Sequence, residues 1–248
     1  CGPCHSHEQF VQYVDLGGTD ADINNPSAIG CTTCHEVHET FQPEDYALRV
    51  DDPIMMLWDE TVELDIGDSS NLCANCHQSR RAEPNVSDPG DTFEITSTHY
   101  GPHHGPQANV WGGVGFAEIA GDAAYDSGTG AHSCTVCHMS EYDGGDGGHT
   151  WHIDMDFCLG CHSQDFVDDI TVPVETKLNT LRDQLLTLGV IEEDAEEPGV
   201  YHPVVGEYPM VQAQAFFNWI GLAEDRSLGL HNPGYVEALL DNSIAALE

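Results

Sequence analysis

Sustained hydrophobic periodicity is concentrated in the last third of the chain. Residues 174–189 carry Leu178, Leu181, Leu185, Leu186 and Leu188 at spacings that gather on one helical face, with Gly189 as the stop. A second helix fits 209–224, where Val211, Ala215, Phe216, Trp219 and Ile220 form the stripe. A third fits 233–247, opened by Asn232 and Pro233 and burying Val236, Leu239, Leu240, Ile244 and Leu247. Upstream, no such pattern persists. Residues 15–30 and 83–92 cluster Gly, Asp, Asn and Pro and read as loops. Tyr142-Asp-Gly-Gly-Asp-Gly-Gly-His149 reads as a flexible turn, because no lysine follows to complete a phosphate cradle. Glu192 to Glu197 reads as a solvated acidic loop. The expectation is mostly irregular coil with a few α-helices. Residues 1–170 and a helical C-terminal brace over 171–248 pack as one integrated domain.

Charge narrows the partners. The 43 acidic residues face only Arg49, Arg80, Arg81, Lys177, Arg182 and Arg226, a formal net charge of −37. That balance excludes nucleic acid and anionic membrane surfaces as partners. Three uses compete: a solvated acidic surface soluble in high salt, docking to a basic redox partner, and calcium binding. The third fails on its best motif. Asp20-x-Asp22-x-Asn24 imitates an EF-hand opening, but Asn25 stands where glycine belongs and Cys31 where glutamate belongs. No run is long and apolar enough to span a membrane, and no signal peptide is read in the sequence, any leader being expected to have been cut off or left out of this numbering. A lipid on Cys1 would compete with the chemistry described next for the same sulfur.

All ten cysteines fall in five copies of Cys-x-x-Cys-His. The pairs are Cys1 and Cys4, Cys31 and Cys34, Cys73 and Cys76, Cys134 and Cys137, and Cys158 and Cys161; the histidines are His5, His35, His77, His138 and His162. This is the attachment signature of c-type haem, in which two thiols bond the porphyrin and the next histidine ligates iron. Zinc ribbons also use Cys-x-x-Cys but do not require the following histidine. Five accidental successes would occur on the order of once in a million at this histidine content. A short spacing repeated five times is also a poor disulfide staple. The expected cofactors are five covalently bound haem c groups, about one per 50 residues, with the coil and helices wrapped around a chain of them and the apoprotein largely unfolded. Intervals of 30, 42, 61 and 24 residues between first cysteines exclude a solenoid of identical repeats.

Ten histidines remain for the opposite iron faces: His7, His38, His99, His103, His104, His132, His149, His152, His202 and His231. Methionine is the rival ligand, from Met55, Met56, Met139, Met155 or Met210; Met139 adjoins a proximal ligand and cannot curl back to the same iron. Bis-histidine coordination is the expectation.

These stretches resemble those of multihaem c-type cytochromes of bacteria and archaea. His99-Tyr-Gly-Pro-His103-His104-Gly-Pro-Gln107 is similar to a distal-ligand stretch in that group. His132-Ser-Cys-Thr-Val-Cys-His-Met139 followed by Gly148-His149-Thr150 resembles a ligand–haem–ligand block. Asp225-Arg-Ser-Leu-Gly-Leu-His231-Asn-Pro-Gly-Tyr235 resembles the C-terminal ligand of nitrite-reductase-like and octahaem cytochromes, and Cys34-His35-Glu-Val-His38 the doubled pattern whose later histidine serves a neighbouring haem. The resemblance implies His38, His104, His132, His149 and His231 as distal ligands. His103 is the near-equal alternate to His104, followed by His99, His152 and His7. His202 reads as a surface or structural histidine.

The resemblance also implies electron transfer with no catalytic residue. The partners would be redox proteins or extracellular electron acceptors, and the chain a homopolymer resembling extracellular cytochrome nanowires. Its expected location is extracellular, with the periplasm as alternative. A soluble periplasmic shuttle competes, as does a reductase of nitrite, hydroxylamine or sulfur oxyanions, which would need an open iron position.

Overall fold

The structure is a computed structural model and describes residues 1–18, 22–36, 40, 42–67, 69–85, 91–125, 128–140, 148–153 and 155–248. His38, Asp20, residues 86–90 of the 83–92 loop and residues 142–147 of the glycine-rich turn lie outside the described residues.

The N-terminal part is built from short pieces. In chain order these are α1 (Gly2–His5), α2 (His7–Leu16), α3 (Cys31–Cys34), β1 (Ile54–Met56), β2 (Asp59–Leu64), α4 (Ser70–Ala74), β3 (Thr92–Ile95), α5 (Gln107–Gly112), α6 (Cys134–His138) and α7 (Met155–Leu159). The C-terminal part follows with α8 (Gln164–Thr187), β4 (Ile191–Glu193), β5 (Tyr201–Pro203), β6 (Gly206–Pro209), α9 (Met210–Asp225) and α10 (Pro233–Ala246). The strands pair antiparallel as β1–β2, β3–β6 and β4–β5.

Two differences from the sequence expectation have local causes. Helix α8 begins ten residues before 174, since the Ser163 side chain caps it by accepting from Phe166 N. Val167, Val174, Leu181 and Leu185 then form one buried line, and that line carries the helix through Pro173, whose missing N–H leaves the Asp169 carbonyl without its helical donor. In the acidic stretch, Glu192 and Glu193 belong to β4, whose partner strand pairs Glu192 with His202. Only the following turn is a loop, and Asp194 Oδ1 ties it by accepting from Glu196 N and Glu197 N.

The largest core joins the two parts of the chain. Leu181 and Leu185 of α8, Phe216 and Phe217 of α9 and Leu239 and Leu240 of α10 bury against Ile95, Tyr100, Val110 and Phe116. Ile244 and Leu247 are half-buried at its edge. Lys177 of α8 bridges Glu237 and Asp241 of α10 outside this core. Inside it, the fully buried Asn218 accepts from Ala117 N at 2.9 Å and donates to Ala117 O at 2.8 Å and Ser243 Oγ at 3.0 Å. A smaller core holds β1 and β2 against Ala74, Ala108 and Trp111.

Between α9 and α10 the backbone turns sharply through Arg226 (φ 62°), Leu228 (φ 50°) and Gly229 (φ 90°). A Cβ at position 229 would sit 3.0 Å from Val174 Cγ2, so both conformation and space call for glycine. Asn232 then caps α10 by accepting from Tyr235 N and anchors the turn by donating to Trp111 O and Gly128 O. His231 is thus held between two buried helices. Asn218→Ala strands both polar groups of Ala117 in the core. It is expected to lower stability by about 2–4 kcal/mol, read from denaturant unfolding of the intact protein.

Candidate functional site

Each Cys-x-x-Cys-His copy lies on or at the end of a short helical turn: α1, α3, α4, α6 and α7. In four of them the histidine N–H donates to the carbonyl of the first cysteine: His5 to Cys1 at 3.0 Å, His35 to Cys31 at 2.9 Å, His77 to Cys73 at 3.0 Å and His162 to Cys158 at 2.8 Å. The fifth copy, Cys134–His138, forms α6 itself. That i to i−4 closure brings residues three and four apart onto one face, so both thiols and the imidazole are presented together. All ten cysteines are free thiols.

Three of the motifs abut directly. Cys4 Sγ donates to Asn75 O and Cys76 Sγ to Pro3 O, each at 3.9 Å, locking the first motif to the third. The third meets the fourth where Ser70 Oγ accepts from Thr135 N at 3.2 Å and shares a hydrogen bond with Thr135 Oγ1. At these seams the thiols polarise each other. The hydrogen bond from Cys76 brings the Cys4 thiol down to about 7 against its burial, helped by the N-terminus and Arg80. Cys134 falls to about 7 through the hydrogen bond from Cys73. Cys76 and Cys73 are pushed up by the same contacts and by burial. One sulfur at each seam is therefore the stronger nucleophile.

Four motif histidines each face a second imidazole. Ring centroids lie 6.2 Å apart for His5 and His103, 6.0 Å for His35 and His149, 6.4 Å for His138 and His231, and 6.2 Å for His162 and His132. A metal–imidazole bond of about 2 Å on each side, plus about 1 Å to each ring centre, puts two rings trans across one metal about 6 Å apart. The pairs thus have the separation of two axial ligands on one iron. Among the described residues, no three His, Cys, Asp or Glu side chains converge as a cage for a bare ion.

Three of the paired rings are anchored through Nδ1. Nδ1 of His35 meets Tyr46 O at 2.7 Å, and Nδ1 of His138 meets Trp151 O at 3.1 Å. His231 Nδ1 meets Asp225 Oδ1 at 2.6 Å. Burial opposes a charge on His231, but the Asp225 contact and the nearby Cys134 outweigh it and raise its pKa. The backbone carbonyls leave no trace in sequence, while Asp225 opens the stretch that contains His231.

At the adjacent pair His103 and His104, the two imidazoles have different surroundings. His103 takes a left-handed backbone (φ 77°) and faces His5. His104 is 80% exposed and pairs through Nδ1 with Glu224 at 3.0 Å. Burial, then Arg80, His104, His5 and the N-terminus, lower the pKa of His103. His77 belongs to no such ring pair among the described residues; its Nδ1 meets Gln107 Oε1 at 3.0 Å. His7 Nδ1 bonds Thr33 Oγ1 and His99 Nδ1 lies beside Thr98 Oγ1. His152 lies exposed two residues beyond Thr150, with its N–H on Thr150 Oγ1. His202 pairs with Asp194 at 3.3 Å. Met56 and Met210 are buried in the protein.

The surroundings suit a broad apolar cofactor. Around the fifth motif, Trp151, Ile153, Met155, Phe157, Leu159 and Phe166 are all exposed, and Phe166 stacks on His162 with centroids 4.7 Å apart. Large apolar side chains gathered at one place on a highly acidic surface mark a face built to be covered. A cavity of about 440 Å³ opens between the first and third motifs, with Cys4, His5, Cys76, His77 and His103 on its walls. Free thiols, paired imidazoles and apolar walls together fit haem.

No family model matches the chain, and no curated protein matches its sequence. Its fold is similar to that of the outer cell wall cytochrome OcwA, with a TM-score of 0.60 and 18% sequence identity. The likeness takes in 100% of this chain and 45% of that one, so the chain spans less than half of its length. Ser70→Ala removes the acceptor that joins the third and fourth motifs. A loss of about 1 kcal/mol in unfolding free energy is expected, measured beside the wild-type protein in the same denaturant.

Proposed function

We propose that this chain is a multihaem c-type cytochrome that moves electrons through five covalently held haems. The observation that carries the reading is the set of five like-folded motifs, four with a second imidazole at axial-ligand separation. The fold shared with an outer cell wall cytochrome supports it. Bound haem would supply the reversible one-electron iron couple. The chain's own residues do the rest. Ten cysteines would hold the groups, with His5, His35, His77, His138 and His162 as the proximal ligands and His103, His149, His231 and His132 as the second ligands at all but the third. The seams at Cys4 with Cys76 and Ser70 with Thr135 hold the first, third and fourth motifs together, which would favour hopping between their groups. The acidic surface favours the more positive, oxidised iron and pushes potentials down, an effect that salt screens.

The proposal extends to place and partners. We assign the chain an extracellular location and a filament of like subunits, exchanging electrons with redox proteins or extracellular acceptors; the periplasm is the alternative, with a soluble shuttle in place of the filament. The histidines outside the four pairs support the filament. Among the described residues no helix is long and apolar enough to cross a membrane. One observation favours a second reading, a reductase of nitrite, hydroxylamine or sulfur oxyanions: His77 has no facing ring among the described residues, and Arg80 and Arg226 line the cavity beside it.

Intact-mass analysis is expected to show the chain plus five haems; the bare chain mass would overturn the proposal. The ferric spectrum divides the two readings. A wholly low-spin protein supports the conduit, whereas a high-spin component that binds nitrite supports the reductase. Negative-stain images of secreted material test the filament, with isolated particles as the contrary result. His103→Ala is expected to convert one low-spin haem to high-spin, while His104→Ala leaves the spectrum unchanged.

A further inference from the structure

The anchors behind the imidazoles are not equivalent. Those of His35, His138 and His77 are the carbonyl oxygens of Tyr46 and Trp151 and the amide oxygen of Gln107, all neutral. The anchor of His231 is the carboxylate of Asp225. Asp225 is only 3% exposed, at the last turn of α9. Its second oxygen, Oδ2, accepts from Ser227 N at 3.3 Å and from the Ser227 hydroxyl. Among the described residues no lysine or arginine forms an ion pair with it. His104 and Glu224 make a similar contact one residue away in sequence, but His104 is in the open, where solvent weakens any charge effect.

A buried carboxylate receiving the Nδ1 proton of a ligating imidazole does two things. It fixes the tautomer that aims Nε2 at the metal, and it makes that nitrogen a stronger electron donor. Stronger donation stabilises ferric over ferrous iron. Low polarity around Asp225 amplifies the effect, since little solvent screens the charge.

We propose that Asp225 is a positioning residue that acts through His231 to make the His138–His231 haem the lowest-potential site of the chain. This rests on the haem reading above. The turn between α9 and α10 serves the arrangement: Arg226, Leu228 and Gly229 in left-handed conformations fold His231 back onto the carboxylate six residues before it, and Asn232 locks the exit. Its motif abuts the third through Ser70 and Thr135. Electrons would therefore cross this group as a brief uphill step from its neighbour.

The test is a spectroscopic redox titration of the intact, haem-loaded protein. Asp225→Asn keeps the shape and an oxygen acceptor but removes the charge. The most negative midpoint component is expected to move to a more positive potential, with haem mass and low-spin spectrum unchanged and with Glu224→Gln matching wild type. Ser227→Ala withdraws the hydroxyl donor from Oδ2 and keeps the backbone N–H; it leaves more charge for His231 and is expected to shift the same component more negative. The proposal is overturned if Asp225→Asn carries its full haem complement and leaves the lowest midpoint where it was. It is equally overturned if Ser227→Ala shifts that component upward or leaves it unmoved, a measurement that decides the matter alone should Asp225→Asn not accumulate. A wild-type chain without covalent haem would instead be a failure of the cytochrome reading, seen by mass before any titration.

Discussion

The distance between two facing imidazoles, about 6 Å from ring centre to ring centre, governs the rest of this molecule. It recurs four times between segments remote in sequence, at His5 and His103, His35 and His149, His138 and His231, and His162 and His132. Holding such a separation demands stiff supports on both sides. The helical closure from histidine to first cysteine stiffens one side. The other depends on turns, carbonyl anchors and the ends of long helices. Much of the loop-rich N-terminal chain is explained as connections whose task is to bring one imidazole to another.

The C-terminal helices answer a second need. Single-turn helices have little capacity to bury apolar surface or to nucleate alone. The large core over α8, α9 and α10 supplies that burial and takes in Ile95, Tyr100, Val110 and Phe116 from the motif-bearing part. Burying the fully satisfied Asn218 at this junction gives orientation where apolar contact alone would allow sliding. Pairing of β3 with β6 ties the same parts from the side. The scaffold therefore sets where His231 arrives.

Sequence legibility follows how local each constraint is. The motif spacing was legible because attachment chemistry acts over five consecutive residues. The later helices were legible because Leu181, Leu185, Phe216, Leu239 and Leu240 face one core at helical intervals. The first ten residues of α8 were hidden by Pro173 and by three aspartates, Asp165, Asp168 and Asp169, among few apolar positions. Glu192 and Glu193 looked like loop because a three-residue strand carries no readable alternation, and its pairing depends on Tyr201 to Pro203. The imidazole pairing was the least legible feature. His103 and His104 differ by one position, and the left-handed backbone at His103 separates their directions. Anchors such as Tyr46 O and Trp151 O are main-chain atoms that every residue possesses.

The turn that presents His231 also has a meaning for biogenesis. In a chain exported N-terminus first, Cys134 and His138 emerge long before the imidazole that closes their site. His132, by contrast, precedes the fifth motif and is already waiting when His162 appears. Completion is thus out of numerical order: the fourth site is sealed only after α8 and α9 have formed and the sharp bend beyond Asp225 has been made. A polypeptide ending between residues 163 and 230 would keep every attachment motif yet leave the fourth without His231.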